Sequence, residues 1–252
     1  MNKLPQITLA FWVMKICATT LGETAGDLLS MTLNIGYALS SLMLVGVFLL
    51  TLLGQLAARR YHPALYWSVI LATSTAGTTL SDFMDRSLGL GYATGSALLI
   101  GLLLATFALW YRSEKSLSVE RIASPKGELF YWVAILFSNT LGTALGDYLA
   151  DDSGLGFAGG ALLIGSLLAL VVVLKGFSRL SPVALFWVAF VLTRPFGATL
   201  GDFLSKAPAQ GGLGFGTVGC SALLAGALVL LVALAIRNQH RPSGAVPAAS
   251  VA

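Results

Sequence analysis

Four aspartates, Asp27, Asp82, Asp147 and Asp202, recur along the 252-residue chain at intervals of 55, 65 and 55 residues. A helix turns about 100° per residue, so the positions four and seven before each aspartate lie within about 40° of it. The stripe so formed reads Thr20, Glu23, Asp27 in the first copy, Thr75, Thr78, Asp82 in the second and Thr140, Thr143, Asp147 in the third; in the fourth it is Pro195, Ala198, Asp202. Carboxylates gathered at low dielectric repel one another, so such a set calls for a cation or for protons. Carboxylate and hydroxyl oxygens suit Mg²⁺, Mn²⁺ or Ca²⁺, whereas Zn²⁺, Cu⁺ and Ni²⁺ sites draw on Cys, His or Met. The two cysteines, Cys17 and Cys220, lie in apolar runs, and the two histidines, His62 and His240, lie in polar segments near arginines. The candidate metal ligands are therefore Asp27, Asp82, Asp147, Asp202 and Glu23, with Thr20, Thr75, Thr78, Thr140 and Thr143 along the path. The competing reading is a merely solvated carboxylate at a helix end, which duplication would copy as faithfully as a functional one. A cost of about 2–3 kcal/mol for an aspartate at bilayer depth, met in every copy, favours the ion site.

The departures from the repeat add chemistry. Glu23 stands where copies two and three have a threonine, and copy four loses both hydroxyls to Pro195 and Ala198. Lys15 and Arg194 are cations inside apolar runs, and each is expected to pair with an acid of a neighbouring helix, because an unpaired buried charge is costly. Arg194 can act either as an internal stand-in for the transported ion or as half of a structural ion pair. Asn139 holds the same repeat position as Arg194 and can bond across helices; Ser74 and Thr19 complete that tier, and Lys15, Asn139 and Arg194 are counted with the path. Pro195 removes a backbone hydrogen bond within its helix, which predicts a kink or unwinding near Phe196 and Gly197.

These residues need long apolar elements to hold them. The chain is 56% hydrophobic and 10% charged, and its mean hydropathy is +0.84. A soluble domain carries about 25% charged residues, so water is the wrong solvent for this chain. Eight segments, 7–29, 37–57, 64–84, 92–111, 130–150, 157–175, 183–204 and 216–236, have the roughly 20 apolar residues that cross a bilayer. They lack the alternation of barrel strands, so the predicted fold class is an all-α integral membrane bundle of eight transmembrane helices. No cleavable signal peptide is expected, so the first segment is retained. Eleven of the 15 basic residues fall in one set of connections or at the ends: Lys3, Arg59, Arg60, Arg112, Lys115, Arg121, Lys126, Lys175, Arg179, Arg237 and Arg241. The other set of connections holds only Arg86 and Lys206. That asymmetry predicts both termini in the cytoplasm. It also accounts for the pI of 9.2 without nucleic acid, for which no basic stripe interleaved with aromatics appears.

The repeat extends well beyond the stripe. Trp12, Trp67, Trp132 and Trp187 stand fifteen residues before the aspartates, Gly22, Gly77, Gly142 and Gly197 five before, and Gly26, Ser81, Gly146 and Gly201 one before. The small residues fall on an adjoining face, where such spacing lets helices approach closely. Pro5, Pro63, Pro125 and Pro182 open the copies, as suits a first helical turn. Gly36-Tyr37, Gly91-Tyr92 and Gly156-Phe157 follow the aspartates, with Gly214-Phe215 displaced by an insertion in the fourth copy. The tryptophans are expected to pack beneath the site and the glycine-linked aromatics to lie at the outer interface. The predicted units are 1–58, 59–115, 116–177 and 178–238, with a disordered tail at 239–252. Each unit crosses twice, so all four enter the membrane the same way. This parallel repeat can surround one axis with pseudo-fourfold symmetry degraded toward twofold.

In these motifs the chain resembles a family of bacterial inner-membrane proteins built from four tandem two-transmembrane repeats of unknown function, over about residues 5–236. The resemblance implies a transporter and, more specifically, manganese export. The leading expectation is a transporter of Mn²⁺ or Mg²⁺ that holds the ion as substrate, not as a cofactor, with proton exchange as a driving force. A cation or proton channel and a membrane scaffold or lipid-binding protein are the alternatives. Acids without a Ser, Cys or His partner argue against an enzyme. Expected partners are membrane lipid and the ion, and an oligomer is compatible with the apolar surface.

Overall fold

Proline at the first turn starts three helices, where its missing N–H costs nothing: α3 (Pro63–Asp82), α5 (Pro125–Asp147) and α7 (Pro182–Ser205). Pro5 does not play this part. The first helix, α1 (Leu9–Asp27), begins four residues later, where the Thr8 hydroxyl caps it by accepting from the Phe11 N–H. The computed structural model describes residues 3–122, 124–177 and 179–239, so His240, Arg241 and nearly all of the predicted tail lie outside the described residues. The remaining long helices are α2 (Tyr37–Ala57), α4 (Tyr92–Glu114), α6 (Gly156–Phe177) and α8 (Gly216–Gln239).

Past the aspartates of α1, α3 and α5 the chain makes one π-helical turn, at 28–32, 83–87 and 148–152. Copy four instead continues α-helically to Ser205 and then makes a short 3₁₀ turn at Pro208–Gln210. A glycine at positive φ then begins or caps each even-numbered helix: Gly36 (82°), Gly91 (70°), Gly156 (67°) and Gly216 (73°). Glycine alone enters this region without a steric cost. The fourth copy therefore counts from Gly216 and not from Gly214, because the inserted residues carry the helix start two positions further on.

The odd-numbered helices form the interior. α1 packs on α3, α3 on α5, α5 on α7, and α7 back on α1. Each even-numbered helix lies outside this ring against the odd-numbered helix of the next repeat: α2 on α3, α4 on α5, α6 on α7, and α8 on α1. The repeats are thus interlocked hand to hand and are not four closed hairpins. The outer helices turn leucine and valine outward, with Leu42, Leu50, Leu104, Leu162, Val172 and Leu223 all exposed.

Among the described residues, six helices, α2, α4, α5 with its following turn, α6, α7 and α8, are long and apolar enough to cross a membrane. This is the architecture of a multi-pass membrane protein. α1 and α3 have the length but are more polar. Their polar residues, among them Lys15, Glu23 and Asp27 on α1 and Thr73, Ser74, Thr78 and Asp82 on α3, are buried inside the ring and not offered to lipid.

The end of the ring opposite the aspartates is closed by aromatic side chains. In every copy the tryptophan is preceded by Phe or Tyr, and this residue touches the tryptophan of the next repeat. Ring centroids are 5.7 Å apart for Phe11–Trp67, 5.6 Å for Tyr66–Trp132, 6.2 Å for Tyr131–Trp187 and 5.8 Å for Phe186–Trp12. Such tilted and edge-on contacts add to the burial of large apolar rings. Tyr66 and Tyr131, both fully buried, share a hydroxyl hydrogen bond of 2.6 Å, so neither polar tip is left unpaired.

Candidate functional site

The close approach of the inner helices follows from their glycines. A Cβ on Gly22 would overlap Ser74, and one on Gly26 would press on Thr78; Gly77 lies against Asn139 and Thr140, Gly142 against Arg194 and Pro195, Gly146 against Ala198, Gly197 against Thr19, and Gly201 against Glu23. Each helix thus presents its small residues to the polar tier of the next helix, all the way round. Ser81, in the small position of copy two, instead lies 3.3 Å from Asp85, whose carboxylate abuts Gly95 of α4.

That packing sets the central tier. Arg194 is fully buried, and its Nη1 donates to Glu23 Oε2 at 2.9 Å. Its Nη2 donates to the hydroxyls of Thr78 at 2.6 Å and Thr143 at 2.8 Å and to the Ser74 carbonyl at 3.2 Å. The same two hydroxyls lie 3.3 and 3.1 Å from Glu23 Oε2. One guanidinium from α7, one carboxylate from α1 and one hydroxyl each from α3 and α5 therefore form a single network, and a buried ion pair tolerates its desolvation only with such added hydrogen bonds. Thr20, Thr75 and Thr140 turn their hydroxyls back to carbonyls of their own helices and do not join it.

Two helical turns below Glu23 on α1, by about 12 Å of helical rise, lies Lys15. Among the described residues the expected acid partner is not there. Its Nζ meets the Asn139 Oδ1 at 3.3 Å and lies 4.1 Å from the centroid of the Phe190 ring, while Asn139 in turn donates to Thr73 at 2.9 Å. The nearest acid on its own helix, Glu23, is engaged by Arg194. The predicted unwinding of α7 is also absent. Pro195 sits within an uninterrupted α-helix, its carbonyl accepting from the Thr199 hydroxyl at 2.9 Å, and the α5 backbone at Gly142 packs directly against it.

Above the central tier the four aspartates are buried at the ends of the inner helices and engage cations in two pairs. Arg86 reaches Asp82 at 3.0 Å and Asp147 at 3.1 Å, joining α3 and α5. Lys206 contacts Asp27 and lies 3.4 Å from Asp202, joining α1 and α7. Burial pulls the Lys206 ammonium toward neutrality, but the carboxylates of Asp202 and Asp27 more than reverse this and raise its pKa, so it is a fixed cation. The side chains of Arg86 and Lys206 are 33% and 19% exposed, which marks this end as the open one. Tyr37 and Tyr92, at the starts of α2 and α4, flank Arg86 with ring centroids 5.9 and 5.7 Å from it.

Sequence reasoning reads Arg86 and Lys206 as loop charges and so misses them. The signal is nonetheless present: each follows its aspartate by four residues in copies two and four, whereas copies one and three have Met31 and Asp151 there. Four residues is one helical turn, the spacing at which side chains meet. The aromatic residue before each tryptophan, present four times over, is likewise legible and goes unread. The alternation of cation-bearing and cation-free copies is what reduces fourfold similarity at this end to two pairs.

Chemically, five buried acids of the aspartate end and central tier, Glu23, Asp27, Asp82, Asp147 and Asp202, face Arg86, Arg194 and Lys206, with Lys15 a fourth buried cation lower on α1, so these carboxylates outnumber the cations around them. One oxygen each of Glu23, Asp147 and Asp202 lies within 4.8 Å of the others, a spacing that a metal ion can bridge. Asp27 Oδ1 and Asp82 Oδ2 are buried without a hydrogen-bond partner among the described residues, so further oxygens are free to act as ligands. No curated protein and no solved structure matches the sequence. The family model described as Repeat of Unknown Function (DUF347) matches residues 10–61, 65–116, 130–180 and 185–241, each stretch beginning in or just before an inner helix and ending at or beyond the outer helix that follows it. The chain therefore belongs to this repeat family, with four tandem copies covering most of its length.

Proposed function

We propose that the protein is a transporter of a hard divalent cation, with Mn²⁺ the leading substrate, which enters through the acidic end of the inner helical ring. The observation that carries this reading is a cluster of buried carboxylates from three of the four inner helices, Glu23, Asp147 and Asp202, whose oxygens are close enough to share one ion. A divalent ion relieves the repulsion among these carboxylates, and so do protons, which makes the two natural competitors for the site. The donor set is oxygen alone, as Mn²⁺ and Mg²⁺ prefer. In this reading all eight helices cross a bacterial inner membrane, the basic connections face the cytoplasm, and the aspartates open toward the opposite side. The small-residue stripes set the spacing of the inner helices, and Thr78, Thr143 and Arg194 form the barrier that the ion must displace.

A channel would need a continuous pore. The aromatic closure at one end and the Arg194 network at the centre favour an exchanger that opens to one side at a time. The test is Mn²⁺ uptake into liposomes containing the purified protein and an internal metal-quenched dye, with wild type compared against D147N and D202N. Uptake that is saturable in the wild type and lost in both variants is the expected result. Wild-type liposomes no different from empty ones with Mn²⁺, Mg²⁺ and Ca²⁺ would overturn the transport reading and leave a static membrane scaffold.

A further inference from the structure

The repeat contains its own control for Lys15. Twelve residues before the aspartates stand Lys15, Ile70, Ile135 and Phe190, and all four are fully buried. Three copies fill this position with an apolar side chain, so the ring packs without a polar group there. An amine in the fourth place forfeits hydration that isoleucine never had to forfeit. An ammonium has three hydrogens to place. Here it meets one amide oxygen, at the long distance of 3.3 Å, and one ring face. Those two contacts soften the loss of water without replacing it. Among the described residues no carboxylate oxygen lies within ion-pairing distance of it. The elements round about offer these groups: Glu23 higher on α1 itself, Arg194 from α7, the neutral Asn139 from α5, and Thr73 of α3 behind Asn139.

We infer that Lys15 is the proton-binding group that couples proton movement to cation transport. The inference rests on the transport reading above and names the coupling ion and its carrier. Coupling follows from charge. While Glu23 neutralises Arg194, the inner ring can accommodate an ammonium at Lys15. A divalent ion that takes Glu23 as ligand strips Arg194 of its carboxylate, positive charge accumulates one tier above Lys15, and the ammonium releases its proton to become a neutral amine. When the ion leaves, Glu23 pairs with Arg194 again and the amine takes up a proton. One proton is bound or released at Nζ in each half-cycle, and no other bond is made or broken. The Tyr66–Tyr131 hydroxyl pair of α3 and α5 stands four residues, about one helical turn, nearer the closed end in the repeat register.

The test uses liposomes containing the full-length protein, Mn²⁺ outside and a pH-sensitive dye inside, with a parallel measurement of Mn²⁺-for-Mn²⁺ exchange by radioisotope. In the wild type, Mn²⁺ entry should drive protons out, seen as internal alkalinisation. K15Q and K15R, one unable to bind a proton and the other unable to release it, should both lose this signal and the acceleration of Mn²⁺ movement by an imposed pH gradient. K15Q should keep isotope exchange, which also shows that it folds, whereas K15R, which retains the positive charge that ion binding must expel, should weaken it. A proton signal of wild-type size in K15Q, or wild-type Mn²⁺ transport with no proton movement at all, would overturn the inference and leave the transport reading standing. Loss of exchange together with the proton signal in both variants would make Lys15 structural and also overturn it. Absence of any Mn²⁺ transport by the wild type would overturn both.

Discussion

Glu23 holds the charge balance of the inner ring, since among the described residues it is the one carboxylate that Arg194 reaches. E23Q should leave a guanidinium fully buried without its counter-ion, and breaking a buried pair from one side costs about 3–5 kcal/mol. A lower melting temperature in detergent is expected, and E23Q/R194M, which removes both charges, should regain most of the loss. E23Q melting with the wild type would contradict the ion pair. Y66F should leave the Tyr131 hydroxyl unpaired in an apolar setting, at a cost of about 1–3 kcal/mol read by the same assay. At this scale much is legible in the sequence: helical period alone puts Glu23, Thr78 and Thr143 in register with the aspartates, and those three side chains do meet Arg194. What period does not give is partner choice. Lys15 finds an amide and a ring in place of the expected acid, because the acid nearest along its helix is engaged by Arg194. Thr20, Thr75 and Thr140 lie on the correct stripe but satisfy their hydroxyls locally, as threonine in helices readily does.

At the scale of the element, the inner helices are spaced by glycine, and substitution tests this directly. A Cβ on Gly142 would collide with Arg194 and stand 2.9 Å from the Pro195 nitrogen. G142A should therefore lower stability by about 1–3 kcal/mol through overpacking. Gly46 on α2 and Gly101 on α4 have nothing within 4 Å of the added atom. G46A and G101A should be neutral or stabilising by up to about 1 kcal/mol. A thermal shift series in one detergent compares all three, and equal effects at the three sites would refute the spacing role. Pro195, which lies against the same α5 glycine, does not interrupt α7. Helix positions are readable from apolar runs of the right length. The π turns after three of the aspartates are not, because the residues 28–32, 83–87 and 148–152 share no composition that distinguishes them from an α-helical end.

For the whole molecule, the proposed eight-crossing topology predicts that single cysteines placed in a background without Cys17 and Cys220 will divide by side. A cysteine at Lys115 should react with a membrane-impermeant maleimide only after cell lysis, and one at Gln210 should react in intact cells. Matching reactivity at both would remove the proposed orientation. Four-part repetition is evident in the sequence, but the interlocking is not, since spacing along a chain does not say whether a helix folds back on its own partner or on the next copy's. The structure answers with the second arrangement throughout, ending with α8 against α1. A lone two-helix unit would then have its inner helix bare on both flanks and its outer helix seated on nothing. If the present chain arose by fusion of such units, the founding peptide was an obligate homotetramer, and each half of today's protein should still seek its complement when the two are expressed as separate polypeptides.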